Sequence, residues 1–239
     1  MMTELTLPII GYMHSSYKEK FGIPRQPNLV QVESYIEMSA PYNDVLAFEG
    51  IEAFSHLWLL WQFHDNKNPE QTQFRPQVRP PRLGGNKKIG VFATRSMYRP
   101  SQIGLSVVRL KCVKKEGKSV RVYVTGSDLL DGTPIVDIKP YIHYSDAVIN
   151  AESGYAQDEP KRKSVIWSDR AIEQKQQLLM SEKLSVQTAQ ELEAVLSLDP
   201  RPAYQDDEAR VYKMKFAAVD IAFTVGETTV NITDVELET

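Results

Sequence analysis

Asp128-Leu129-Leu130-Asp131-Gly132 places two carboxylates around an apolar pair, directly ahead of a turn signal. Carboxylates held beside backbone amides bind ribose hydroxyls or a cationic ligand. The plainer alternative is a turn at Asp131-Gly132 capped by Asp128. His64-Asp65 closes the aromatic run AFSHLWLLWQFH, Ala53 to His64. There an imidazole and a carboxylate emerge together from a buried element, side chains of the kind that general acid–base chemistry uses. KEKFGIPRQPNL holds Arg25 and Gln26 between Pro24 and Pro27. A stiff loop of this kind fixes a small ligand at low entropic cost, or is simply a rigid surface turn.

Charge is segregated along the chain. From Arg75 to Arg121 there are 13 Lys or Arg and one acid, Glu116, although the whole chain carries a net charge of −3. A cationic segment inside an acidic remainder is the footprint of a polyanion site, because phosphates attract clustered cations. The competing account is that some of these bases pair with acids elsewhere in the fold. Arg82, Arg95 and Arg99 lie here beside Phe92 and Tyr98. Basic groups interleaved with aromatics suit single-stranded or looped RNA, with Tyr98 expected at the surface and Phe92 more often in a core.

Other chemistries find no support. There is no G-x-G-x-x-G after a strand, no P-loop and no G-x-S-x-G, so a Rossmann-type nucleotide site and a serine nucleophile are disfavoured. Leu83-Gly84-Gly85-Asn86 reads as a tight turn, and neither Ser96 nor Ser101 has an obvious base beside it. The four histidines show no helical zinc spacing, and His56 lies inside the apolar run as a core histidine would. No metal is expected. The single cysteine, Cys112, excludes an intrachain disulfide and a multi-cysteine zinc site, in keeping with a reducing compartment. No apolar run approaches the roughly 18 residues that span a bilayer. The opening MMTELTLPIIGYMHSS has neither a basic leader nor a long apolar stretch, so no signal peptide is expected and a cytoplasmic location is.

The elements that must position these groups follow from periodicity. A chain of 239 residues suits one large domain or a domain with a small appendage. The first half reads as short strands: Leu5 to His14, Leu29 to Ser39, the aromatic run, then KIGVFATRS, IGLSVVRLKC and SVRVYVTG, with KKEG as a hairpin loop. In the last of these Val120, Val122 and Val124 face one way, and Arg121, Tyr123 and Thr125 the other. Strands in succession without βαβ alternation argue for a barrel or sandwich. After residue 150 the polar AESGYAQDEPKRKS reads as an exposed connection. Ser168 or Asp169 caps a helix through Met180 with Ile172, Leu179 and their neighbours on its apolar face. Ser185 caps a second, with Val186, Ala189, Leu192 and Leu196 inward, stopped at Asp199-Pro200. Two or three closing strands make residues 151–239 a small α+β domain beside a mainly β domain of residues 1–150.

KEKFGIPRQP, FSHLWLLWQFH, RPPRLGGN with GVFATRS and IGLS, and DLLDGTPIVDIKPY follow in order from about Leu7 to Asp146, and VLSLDPRPAYQ comes later. In these motifs the chain resembles the YaeB-like, TrmO-type family of S-adenosylmethionine-dependent tRNA methyltransferases. The resemblance implies a non-Rossmann β-barrel methyltransferase that acts as a homodimer. It also implies methylation of N6 of threonylcarbamoyladenosine at position 37 in the anticodon loop of threonine tRNA. It implies cofactor contacts at Pro24, Arg25, Gln26, His64, Asp65, Arg95, Leu105, Asp128, Leu129, Leu130 and Asp131. Loss of the N6 proton calls for a base, for which His64 or Asp65 is the candidate. Arg82, Lys87, Lys88 and Arg99 are candidate contacts to tRNA phosphates. Two rival readings are a non-enzymatic RNA-binding β-barrel and a metal-dependent hydrolase acting on RNA or a nucleotide.

Overall fold

The computed structural model describes residues 5–65, 74–202, 205 and 207–238; the side chain of Arg82 lies outside the described residues. Six strands close into an antiparallel barrel in the order β1-β2-β7-β6-β3-β8. They are β1 (Gly11–His14), β2 (Glu33–Met38), β3 (His56–Gln62), β6 (Ile103–Glu116), β7 (Ser119–Thr125) and β8 (Pro134–Pro140). Between β3 and β6 lies a two-stranded ribbon of β4 (Gln77–Val78) and β5 (Ile89–Gly90). The barrel forms because each long strand alternates. Val120, Val122 and Val124 of β7 are fully buried with Ile36, Leu57, Leu59 and Val108, while Arg121 and Tyr123 look outward. Closure leaves these strands no unpaired edge.

Two expectations about the strands are corrected. KKEG is not the hairpin loop. β6 runs on to Glu116, which pairs with Ser119, and the chain reverses at Gly117-Lys118 with Gly117 at φ +64°. A two-residue turn with a left-handed glycine matches the twist of the strands it joins. KIGVFATRS is not a full strand either. Only Ile89–Gly90 pairs, and Val91–Ala93 turns into a 3₁₀ helix. Val91 alone is anchored in the interior, and Thr94 Oγ1 donates back to its carbonyl at 2.7 Å, which curls the segment off the sheet.

Beyond the short helix α1 (His143–Asp146) and the exposed 151–163 connection, a second sheet has the order β10-β11-β12-β9. It comprises β9 (Ser164–Trp167), β10 (Tyr212–Phe216), β11 (Val219–Val225) and β12 (Thr229–Leu237), with β9 parallel to β12. Two helices cover it, α2 (Asp169–Met180) and α3 (Val186–Leu196). Ser168 and Ser185 are their caps, accepting from the amides of Ala171 and Thr188. On α2 the expected Leu179 packs against the core beside the buried Ala171 and Leu178, but Ile172 is exposed. Val186 of α3 is likewise exposed, and Ala189, Leu192, Val195 and Leu196 fill the interface. Tyr17, Val30 and Val32, from the chain on either side of the Pro24–Pro27 loop, pack into this second core. That loop is therefore gripped from both sides.

Candidate active site

One end of the barrel opens into a cavity of about 570 Å³. Four segments build it. The first is the loop after β1. Asn28 sits at φ +64°, its amide bonds the carbonyl of Gly126 at 2.8 Å, and its Nδ2 bonds the carbonyl of Val107 at 2.9 Å. This clasp hangs Pro24, Arg25 and Gln26 over the ends of β6 and β7, where all three line the cavity. Arg25 Nη2 also reaches the carbonyl of Arg201 at 3.1 Å, tying the loop to the second sheet's side of the molecule.

The end of β3 supplies the second wall. Trp61 is buried, Phe63 packs against it with ring centroids 4.4 Å apart, and His64 and Asp65 stand exposed at the mouth. Asp65 is already answered by Lys20, whose Nζ lies 3.3 Å away. The third wall is the irregular 91–105 segment, a chain of tight turns. Arg99 donates to the carbonyl of Thr94 at 3.1 Å, Gln102 N to the carbonyl of Arg99 at 3.1 Å, and Arg95 Nη1 to Gln26 Oε1 at 2.6 Å. Arg95, Arg99, Phe92 and Leu105 all face the cavity.

The fourth element is the Asp128–Asp131 segment, whose side chains part company. Leu129 is driven into the barrel core and is fully buried. Its neighbours on either side, Asp128 and Leu130, therefore face the cavity. Asp131 turns away: it accepts from Ser15 N and from Lys18 Nζ, both at 2.9 Å, and so holds β1 in place. Thus Pro24, Arg25, Gln26, His64, Asp65, Arg95, Leu105, Asp128, Leu130 and Arg99 are brought to one cavity, and Leu129, Asp131, Lys87 and Lys88 are not among its walls. Lys87 and Lys88 stand exposed on the approach to β5.

Asp128 is the electrostatic centre of the site. Burial pushes its carboxyl up to about 6, against the downward pull of the Ser106 hydroxyl, of its own backbone N–H and of the Arg95 charge. Ser106 Oγ donates to Asp128 Oδ1 at 2.6 Å and itself accepts from Trp61 Nε1 at 3.0 Å. Trp61 pairs with Gly104 across β3 and β6, and its indole lies against the bare α-carbon. The relay Trp61–Ser106–Asp128 thus fixes the orientation of the carboxylate at the cavity wall. Sequence reasoning missed Trp61, Phe63, Thr94, Met97, Gly104 and Ser106. The signal for Ser106 was available: in β6 the inward row reads Gly104, Ser106, Val108, Leu110, and a hydroxyl on a buried row demands a partner. Among the described residues no group of three His, Cys, Asp or Glu is placed to hold a metal ion.

A sequence model of the tRNA-methyltransferase O N-terminal domain matches residues 12–147, and one of the TrmO C-terminal domain matches residues 160–238. A tRNA (adenine(37)-N6)-methyltransferase of Escherichia coli (strain K12) is 45% identical over 208 residues, 87% of this chain and 86% of that protein. A putative S-adenosylmethionine-dependent methyltransferase of Pseudomonas aeruginosa is 44% identical, covering 92% of each chain. The crystal structure of TrmO from Pseudomonas aeruginosa superposes with a TM-score of 0.79 at 34% identity, over 99% of this chain and 100% of that one.

Proposed function

The chain belongs to the TrmO family of tRNA methyltransferases, and from that premise we propose that it methylates N6 of threonylcarbamoyladenosine at position 37 of threonine tRNA, with S-adenosylmethionine as donor. One observation carries the reading: a half-buried carboxylate, Asp128, faces a nucleoside-sized cavity whose rim is cationic and aromatic. About 570 Å³ lies within the range of small-molecule sites. Asp128 is held by the Ser106 hydroxyl and its own backbone N–H, and it attracts a cationic ligand when ionised. Bound there, S-adenosylmethionine supplies a methyl group on a positively charged sulfur.

The residues of the chain divide the remaining work. Asp128 stabilises the positive charge of the donor. Gln26 and Arg95, locked to each other, close the side of the cavity, and Pro24, Leu105 and Leu130 exclude water from it. Holding donor and acceptor in one orientation supplies much of the acceleration of a two-substrate reaction. A urea-like N6 is a poor nucleophile until it loses its proton. His64, exposed at the mouth beside Asp65, receives that proton, and Lys20 holds Asp65 in place. Arg82, Lys87, Lys88 and Arg99 meet tRNA phosphates, the side chain of Arg82 being outside the described residues. The same reading has a cytoplasmic homodimer.

His64→Ala is expected to lower kcat about 100-fold, at the low end of what a positioned proton acceptor contributes, with donor affinity kept. Intact turnover with weakened donor binding would reassign His64 to the donor site. The function itself is tested by transfer of labelled methyl from S-adenosylmethionine to total tRNA, with and without prior threonylcarbamoylation. Incorporation only into the modified tRNA supports the reading. Retained tRNA binding with no incorporation would favour a non-enzymatic RNA-binding barrel.

A further inference from the structure

Phe74 and Phe92 are 59% and 67% exposed, unusual for phenylalanine. They are not scattered. β4 and β5 pair Gln77 with Gly90, and the amide of Val91 bonds the carbonyl of Pro76 at 2.9 Å, which brings the two rings side by side. Their centroids are 6.0 Å apart with planes 29° from parallel. Val91 takes the buried position of this turn, so Phe92 must point out. The Arg99 guanidinium lies 5.5 Å over the Phe92 ring and is held there by its bond to the Thr94 carbonyl. Next to them the Arg75 guanidinium lies 5.3 Å over the Tyr98 ring. Phe92 and Arg99 are also part of the cavity wall.

Flat aromatic faces set among cations, on a segment whose first acid after Arg75 is Glu116, match a ligand that is both planar and polyanionic. We propose that Phe74 and Phe92, with Arg99 and the Arg75–Tyr98 pair, form a stacking platform for an unpaired nucleobase flanking the target adenosine. The proposal rests on the RNA-methylation reading above and assigns the rim of that same cavity a separate task. The platform holds the neighbouring base while the target enters the cavity, and Arg75 and Arg99 face the adjoining phosphates. Stacking recognises any base through its π-face, so this contact contributes affinity and register rather than sequence choice.

The test uses an anticodon stem-loop RNA carrying 2-aminopurine at either position flanking the target, titrated with the full-length protein. Stacking quenches the probe. Phe92→Ala and Phe74→Ala are expected to weaken RNA binding about tenfold, within what loss of one stacked base produces, and to abolish quenching. Phe92→Tyr should restore both. In Phe74→Ala, whose ring is not part of the cavity wall, donor affinity and the salt dependence of RNA binding should stay as in the unmodified protein, whereas a Lys87→Ala, Lys88→Ala double variant should flatten the salt dependence and keep the quenching. Wild-type RNA affinity and quenching in Phe92→Ala and Phe74→Ala would overturn the platform. So would loss of donor affinity in Phe92→Ala with RNA binding unchanged, since the ring would then serve the donor. A wild-type protein that neither binds nor methylates tRNA would instead overturn the parent reading together with the platform.

Discussion

Asp128→Asn is expected to weaken S-adenosylmethionine binding by ~30-fold or more, the scale on which loss of one partner of a buried charge pair operates, and at the same time to raise the melting temperature of the ligand-free protein. Both effects come from the same charge. Burial raises the folded-state carboxyl from 3.8 to about 6. Between those values the folded protein keeps a proton that the unfolded chain has released. Stability therefore falls as pH rises through that window, and at neutral pH the ionised carboxylate is a net cost to the fold. Asparagine has the same shape and can still accept from Ser106, so it removes the cost without losing the bond. Donor affinity should rise with pH through about 6 in the natural protein, because only the ionised form attracts a cation, and should lose that step in the variant. Calorimetric titration at several pH values, with thermal melts of both proteins, measures all of this. A variant that binds the donor normally would remove Asp128 from the site; one that melts lower would refute the buried-charge argument.

Gly104→Ala is expected to lower stability and donor affinity together. A Cβ built on Gly104 meets the Trp61 indole at 2.1, 2.3 and 2.5 Å. The indole cannot swing aside cheaply, because it is buried, bonded to Ser106 at 3.0 Å and backed by Phe63. Overpacking of this kind costs about 1–3 kcal/mol, which lowers the melting temperature of a protein this size by roughly 2–4 °C for each kcal/mol. Displacing the indole also frees Ser106 and releases the Asp128 carboxylate, so donor affinity should fall with stability. Adding Trp61→Leu to Gly104→Ala should recover part of the melting temperature and none of the donor affinity. A single Gly104→Ala protein that melts and binds as before would show that Trp61 does not depend on the bare α-carbon.

Reading strands from alternation worked where side chains alone decide the face. Val120, Val122 and Val124 are buried because they are the aliphatic residues of β7 and share one face, and the caps Ser168 and Ser185 are local hydrogen bonds whose partners lie three residues away. It failed where a segment's neighbours decide. KIGVFATRS has strand composition, yet among the described residues it pairs only with the two-residue β4, and after Gly90 the chain turns. On α2, Ala171 takes the buried position and its neighbour Ile172 is exposed, while Leu179 packs against the core, a choice set by how the helix lies on the sheet.

The same division holds in the site. Residue types, their order and the charge segregation of the 75–121 segment are properties of the chain itself: a carboxylate after an apolar strand, an imidazole closing an aromatic run, guanidinium groups on an acid-free stretch, and with them the family. What each group does was decided only when the barrel closed. Asp128 and Asp131 are equivalent in the sequence, but the Leu129 anchor sends one to the cavity and the other to β1. Ser106 and Trp61 lie 22 residues before Asp128 and 45 residues before Ser106, respectively, and no local pattern joins them. A hydrogen bond between side chains depends on positions in space, and those positions follow from strand register around a closed barrel, to which every strand contributes.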